Sequence, residues 1–356
     1  MAFLAPPAER LPARLIVDLR ARETTLDGMA KGGNRGNATL FSAYDFVNKF
    51  VNKSVVQRDT HASSEGAYDV YVRLGRARLC MAHGAARLTR PRRYRRLVLR
   101  ACRSFRTDML LCQLSDPHVT AEDRLAYGVV DTGPMLVRCV EQILRATPRV
   151  DAVLITGDLV DLGTAEEYAR LRSILQRLPM PVYLLPGNHD DRAAMRAAFR
   201  DHPWLASDDQ FIQYVIEDWP VRIVVLDSTV PRQGGGLLCA ARLDWLNRTL
   251  EEQSNRPTIV ALHHPPFQTG IAYMDRIGLA GREALEQVIR KHPQVERVVS
   301  GHLHRAIEVR FGGTVASTCP STAHQVTLDL QPEGAGCFSF EPPGYQLHWW
   351  NGGRVV

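Results

Sequence analysis

The chain has 356 residues, 45% of them apolar, enough for one large domain or two medium ones with a sizeable core. Its net charge of +6 joins two unlike parts: residues 1–108 hold 21 Lys+Arg against 9 Asp+Glu, and residues 109–356 hold 23 against 29. No run approaches the ~20 apolar residues of a membrane span, charges break up MAFLAPPAERLPARLIVDLR before an apolar signal segment forms, and seven scattered cysteines with no C-x-x-C pair argue against a disulfide framework.

Reduced thiols and the lack of an address make the cytoplasm the default location, with no membrane partner. Residues 1–108 give inconsistent signals. KGGNRGNAT reads as a loop and YDVYVRLGRARL as a short strand. ARLTRPRRYRRLVLRACRSFR is an arginine run broken by Pro91. Such a run suits a nucleic-acid or acidic-surface patch, or a solvated, disordered segment; its composition favours the second. A nucleic-acid partner is therefore not expected. A third reading places the true start at Met109, making the upstream part a gene-model extension.

From Met109 the pattern is orderly. MLLCQLSD is an apolar run with a polar tip, and TGPMLVRCVEQILRA has helical spacing. DAVLITGD, PVYLLPGNHD, VRIVVLDS, TIVALHHP and RVVSGH repeat the strand-and-tip theme. AEEYARLRSILQRL, ARLDWLNRTLEEQ and REALEQVIRKH read as helices. Strands alternating with helices of 10–15 residues predict βαβ units and a largely parallel sheet. The tail, VASTCPSTAHQVTLDL through CFSFEPPGYQLHWW, reads as antiparallel strands. The division is 1–108 as a basic extension, 109–325 as an α/β catalytic domain and 326–356 as a C-terminal β extension.

Five strand tips carry metal-type ligands: Asp116 and His118 in SDPH, Asp158 in TGDLV, Asn188 and His189 in PGNHD, His263 and His264 in LHHP, and His302 and His304 in SGHLH. Carboxylate, amide oxygen and imidazole without thiolate suit Mn, Fe, Zn or Co. In extended chain, D-x-H and H-x-H put both side chains on one face. Gly157, Gly187 and Gly301 precede their ligand residues and permit a close backbone approach. Each motif alone is weak; all five in this order at strand ends are specific.

This series resembles the calcineurin-like metallophosphoesterase superfamily over about residues 109–325. Within it, SDPH, GDLVDLGTAEEYARL, YLLPGNHDD, HHPPF, SGHLH and STAHQV look most like the bacterial class III cyclic nucleotide phosphodiesterase and glycerophosphodiesterase group. The resemblance implies a four-layer α/β/β/α sandwich with a small cap, and two divalent ions. Asp116, His118, Asp158 and His304 would hold the first; Asp158, Asn188, His263 and His302 would hold the second, with Asp158 bridging. A metal-bridging hydroxide would attack phosphorus.

His189 is then read as a catalytic residue stabilising the phosphate or protonating the leaving group. Asp190 either orients His189 or caps the helix of DDRAAMRAAF. His324 in STAHQV resembles a substrate-side histidine of the group. Phe267, Tyr273 and Met274 read as a wall for the substrate or as the core of their own loop. The expected substrate is a small phosphodiester, 3′,5′-cyclic nucleotides first and glycerophosphodiesters second; a non-catalytic binding module is a remote alternative, and the resemblance implies a homo-oligomer.

Overall fold

The computed structural model describes residues 107–206 and 210–356, with four short strands upstream. These are β1 (Ile16–Asp18), β2 (Val70–Leu74), β3 (Ala77–Ala82) and β4 (Ala85–Leu88), which form one sheet in that order. β2 falls in the run read as a strand. The loop reading and the arginine run beyond Leu88 lie outside the described residues, as does the disorder expected of 1–108 apart from these four strands. The chain divides into two compact units, Met1–Arg106 and Thr107–Val356.

In the second unit the apolar runs become strands: β5 (Met109–Leu114), β6 (Ala152–Thr156), β7 (Val182–Leu185), β8 (Tyr214–Ile216), β9 (Arg222–Val225), β10 (Gly236–Leu237), β11 (Thr258–Ala261), β12 (Leu279–Ala280) and β13 (Val295–Ser300). β14 (Ile307–Phe311), β15 (Thr314–Thr318), β16 (Gln325–Val326), β17 (Phe338–Ser339) and β18 (Gln346–Trp350) complete them. The helices are α1 (Thr132–Arg145), α2 (Ala165–Leu175), α3 (Arg192–Ala198), α4 (Ala240–Glu251), α5 (Ala272–Arg276) and α6 (Arg282–Arg290). α1 buries Leu136, Cys139, Val140 and Ile143 at helical spacing. α2 starts on a capping box in which Thr164 and Glu167 satisfy each other's backbone N–H.

Two sheets form the middle of this unit, ordered β18-β5-β6-β7 and β14-β15-β13-β11-β9-β8. β5, β6 and β7 run parallel, as do β9, β11, β13 and β15. Alternation along the second sheet gives the layering. Ile223, Val225, Ile259, Ala261 and Val299 join the core of the first sheet with α1 and α2. Their neighbours Val224, Leu226, Val260, Leu262 and Val298 pack with Leu246 and Leu250 of α4 and with Leu285 and Ile289 of α6. Strands buried on both faces read as continuous apolar runs, and the order is helix, sheet, sheet, helix, the expected four layers.

The tail departs in one respect from the antiparallel reading. β15 lies inside the second sheet, parallel to β13 and antiparallel to β14. β18 is antiparallel as expected, and its partner is β5, the first strand after Thr107. Among the described residues, no helix is long and apolar enough to cross a membrane.

Candidate dinuclear metal centre

All the parallel strands that carry a candidate residue deliver it just past their carboxyl ends, where open α/β sheets bind ligands. The backbone there is not extended. Asp116, His118, Asp158, His302 and His304 have φ of +50°, +43°, +47°, +68° and +55°. Strand alternation therefore does not govern D-x-H and H-x-H, whose members were expected to share a face. Each pair lies beyond its strand with left-handed backbone at both members. Asp116 and His118 join one group, while His302 and His304 diverge, His304 toward His118 and His302 toward His263, and Leu303 packs with Ile271 and Met274. Such conformations cost ~1–3 kcal/mol each and persist where the surroundings over-determine them.

Hydrogen bonds between adjacent loops supply that determination. Asp116 N donates to Gly157 O (3.1 Å) and His118 N to Asp158 O (3.0 Å), while Gly301 N donates to His263 O (3.0 Å). His302 N donates to both carboxylate oxygens of Asp116 at 3.1 Å. The small residues are sterically required. A Cβ on Gly187 would lie 2.1 Å from Asp158 Oδ1, and one on Gly301 2.0 Å from Ser115 Oγ.

Asp116, His118, Asp158 and His304 each present a ligand atom within 4.8 Å of the others, and all four are buried. His118 Nε2 is 3.2 Å from His304 Nε2 and 3.5 Å from Asp158 Oδ2. The other oxygen of the same carboxylate, Asp158 Oδ1, is 3.4 Å from His263 Nε2, which is 3.1 Å from Asn188 Oδ1. Asp158 thus faces one group with each oxygen. The His302 ring is 5.1 Å from that of His263.

The imidazoles are pinned so that one nitrogen is left for the centre. His263 Nδ1 bonds Thr156 O (2.8 Å), His304 Nδ1 bonds His324 O (2.8 Å) and His302 Nε2 bonds Ile277 O (3.1 Å). Fixing one nitrogen on a carbonyl sets the tautomer and aims the other, the usual arrangement behind a metal-bound histidine. His264 lacks that freedom, because Nδ1 meets Ser228 Oγ (2.8 Å) and Nε2 meets Gly234 O (3.0 Å).

The donor set fits divalent cations. Asp116 and Asp158 are 0% and 2% exposed, and buried carboxylates need positive charge beside them. Imidazoles partly provide it. Burial pulls the His263 pKa down, but the charges of Asp158 and Asp116 outweigh it and push the ring up to about 9. Two ions of the Mn, Fe, Zn or Co kind match these nitrogen and oxygen donors.

His189 borders this centre, half-buried, with its backbone N–H on Asp158 Oδ1 (2.9 Å) and its Nδ1 on Asp161 O (2.7 Å). Nε2 is left for another partner. Asp190 does neither of the things its position suggested. Its Oδ2 accepts from Leu159 N (3.0 Å) and Gly187 N (2.8 Å), and its Oδ1 from Tyr168 OH (2.8 Å). The helix cap is Asp191, which accepts from Ala194 N (2.8 Å). Asp190 therefore ties the Asp158 loop to the Asn188 loop and does not touch the His189 ring. Burial, then Asp158, pushes its carboxyl up to about 7. Replacing Asp190 with Ala is expected to weaken metal affinity about 10–100-fold, as loss of a supporting partner does. Metal titration would show it, and affinity unchanged within twofold would refute the positioning role.

His324 is fully buried, with both ring nitrogens unpartnered, and its ring lies 4.8 Å from that of His304 and 5.4 Å from that of His118. Met274 is buried beside Ile271 and Leu303, with Phe267 packed against them, so these two fill their own loop; Tyr273 is 40% exposed. Sequence reasoning passed over Asp161, whose Oδ1 is 3.4 Å from His118 Nδ1. Its signal was present as the second acid of GDLVD. It also passed over Tyr127, which no motif marks.

The profile of the calcineurin-like phosphoesterase family matches residues 109–306. A probable glycerophosphodiester phosphodiesterase of Arcobacter nitrofigilis is 36% identical over 243 residues, covering 68% of this chain and 89% of that protein. A probable cyclic nucleotide phosphodiesterase of Rhodopseudomonas palustris is 39% identical, covering 65% and 85%. The 3′,5′-cyclic adenosine monophosphate phosphodiesterase of Pseudomonas aeruginosa is 32% identical, covering 67% and 84%. Among solved structures, a dimetal phosphatase from Danio rerio shares the fold, with a TM-score of 0.50, 17% identity, and coverage of 68% and 91%.

Proposed function

The chain belongs to the calcineurin-like phosphoesterase family, and we propose that it is a metal-dependent phosphodiesterase of small diesters, 3′,5′-cyclic nucleotides above all. The observation that carries this reading is the Asp158 carboxylate, whose two oxygens face two separate imidazole groups. Asp116, His118 and His304 complete a site for one ion, and Asn188, His263 and His302 a site for a second. Bound there, a pair of divalent ions lowers the pKa of water and draws charge from the phosphoryl oxygens.

The chain's own groups supply the rest. His189, held through Nδ1, directs Nε2 at a phosphoryl oxygen or at the departing alkoxide, which it protonates. His324 offers an unpartnered ring nitrogen to the same phosphate from the side of His118. Asp161 and Asp190 hold the loops and do not meet substrate. Glycerophosphodiesters are the second reading, supported by the Arcobacter nitrofigilis relative and its 89% coverage. Buried free thiols at Cys112, Cys139 and Cys319 suit a reducing compartment, the cytoplasm. Assembly as a homo-oligomer belongs to the same reading, and light scattering tests it.

The test is metal analysis followed by chelation. Stripped protein is expected to lose turnover of both diesters and to regain it with Mn. Asn188→Ala is expected to cost about 10²-fold in kcat, or ~2.7 kcal/mol. Turnover that survives chelation, or is unchanged in Asn188→Ala, would sink the two-metal reading.

A further inference from the structure

Tyr127 stands beside His324, on the His118 side of the candidate centre, in a conformation that bulky residues rarely take. Its φ is +52°, and Gly128 follows at +72°. The two form the tip of a tight turn closed by Ala126 N to Val130 O and Val130 N to Ala126 O, each 2.9 Å. Burial does not account for the strain, because Tyr127 is 58% exposed. Strain of this kind collects at functional sites.

The ring is placed by its neighbours. It meets His324 edge to face at 5.1 Å and lies nearly parallel to Phe338, centroids 4.8 Å apart and planes 23° apart. Phe338 meets Phe340 edge to face at 5.7 Å, and Phe340 is 67% exposed. The pairing of β16 with β17 brings Phe338 next to His324. A row of rings thus leads outward from the candidate metal centre: His118, His324, Tyr127, Phe338 and Phe340.

We infer that Tyr127, backed by Phe338 and flanked by Phe340, is the subsite for the nucleobase of the diester and so sets the preference for nucleotides over glycerol diesters. The inference rests on the phosphodiesterase reading above. A phosphate held at the Asp and His groups leaves its organic substituent outside the ion site, where this row begins. Every base has a π-face that aromatic side chains stack on; a flexible glycerol or ethanolamine group has none. The inner end of the row, His324, keeps two nitrogens for the phosphate, and the outer end offers only ring surface.

The test uses the full chain with Mn, comparing kcat and KM for 3′,5′-cAMP and glycerophosphoethanolamine. Tyr127→Asn removes the ring and keeps a residue that accepts the left-handed turn. It is expected to raise KM for cAMP and lower the cAMP-to-glycerophosphoethanolamine ratio of kcat/KM about tenfold, the low end of a base–aromatic stack. Tyr127→Phe is expected to keep the wild-type ratio, and Phe340→Ser, at the surface, to lower it in the same direction. A ratio that moves less than twofold in Tyr127→Asn overturns the subsite, and a lower melting temperature alone would assign the rings to closing the tail. Wild-type protein active only on glycerophosphoethanolamine also overturns the subsite and leaves the diesterase reading standing. Wild-type protein active on neither diester defeats that reading itself.

Discussion

Asp158→Ala is expected to lower phosphodiester turnover about a thousandfold or more. The side chain has three duties in one place. Oδ2 faces His118 at 3.5 Å, Oδ1 faces His263 at 3.4 Å, and Oδ1 also accepts the backbone N–H of His189 at 2.9 Å. Its removal is expected to disturb both proposed ion sites and to free the loop that carries His189. Charge stabilisation by bound metal is worth several kcal/mol, and each 1.36 kcal/mol is a decade in rate. Metal content should fall with activity. A variant that keeps two ions per chain, or turnover within tenfold of wild type, would refute the proposed bridging role of Asp158.

Asp227→Ala is expected to have the largest effect on stability among the changes considered. Asp227 is 0% exposed. Its oxygens accept from Arg192 Nε (2.6 Å), Arg192 Nη2 (3.1 Å), Ile212 N (3.0 Å), Thr229 N (2.9 Å) and Thr229 Oγ1 (2.8 Å). The pair ties α3, which follows the Asn188 loop, to the end of β9 in the second sheet. Breaking a buried pair by removing one partner costs about 3–5 kcal/mol, or roughly 10 °C in melting temperature for a unit of this size. A shift below 2 °C in thermal unfolding would contradict this.

The same carboxylate gives a pH dependence with a definite sign. Burial alone would raise its pKa, but the Arg192 guanidinium, first through its hydrogen bonds and then its charge, holds it below the usual carboxylate value. A depressed folded pKa stabilises the native state fully above the unfolded value, about 3.9. That contribution is lost as pH falls through the folded value. The difference in melting temperature between wild type and Asp227→Ala should therefore narrow below about pH 4.

Much of this was legible in the chain itself. Apolar runs with polar tips, spaced by amphipathic helices, determined the parallel strands; the five tip motifs offered Asp116, His118, Asp158, Asn188, His189, His263, His264, His302 and His304, and the family resemblance singled out seven of them as metal ligands. These are local signals, written in period and in neighbouring residue types. Tertiary structure decided what each tip does. The Asp of GDLV and the Asp of VLDS both follow apolar strands, yet Asp158 faces a cluster of imidazoles while Asp227 is consumed by Arg192, 35 residues away. In LHHP, His263 turns Nε2 toward Asn188 and Asp158 at the centre, and His264 spends both nitrogens on Ser228 and Gly234. In NHDD, Asp190 joins two loops and Asp191 caps the helix. Tyr127 gained its place only from Phe338, which the chain delivers 211 residues later through a strand pair in the tail. Sequence determined which residues could do chemistry; the partners that take up or leave open each nitrogen and oxygen came from distant segments, so only the folded chain could decide which of them would.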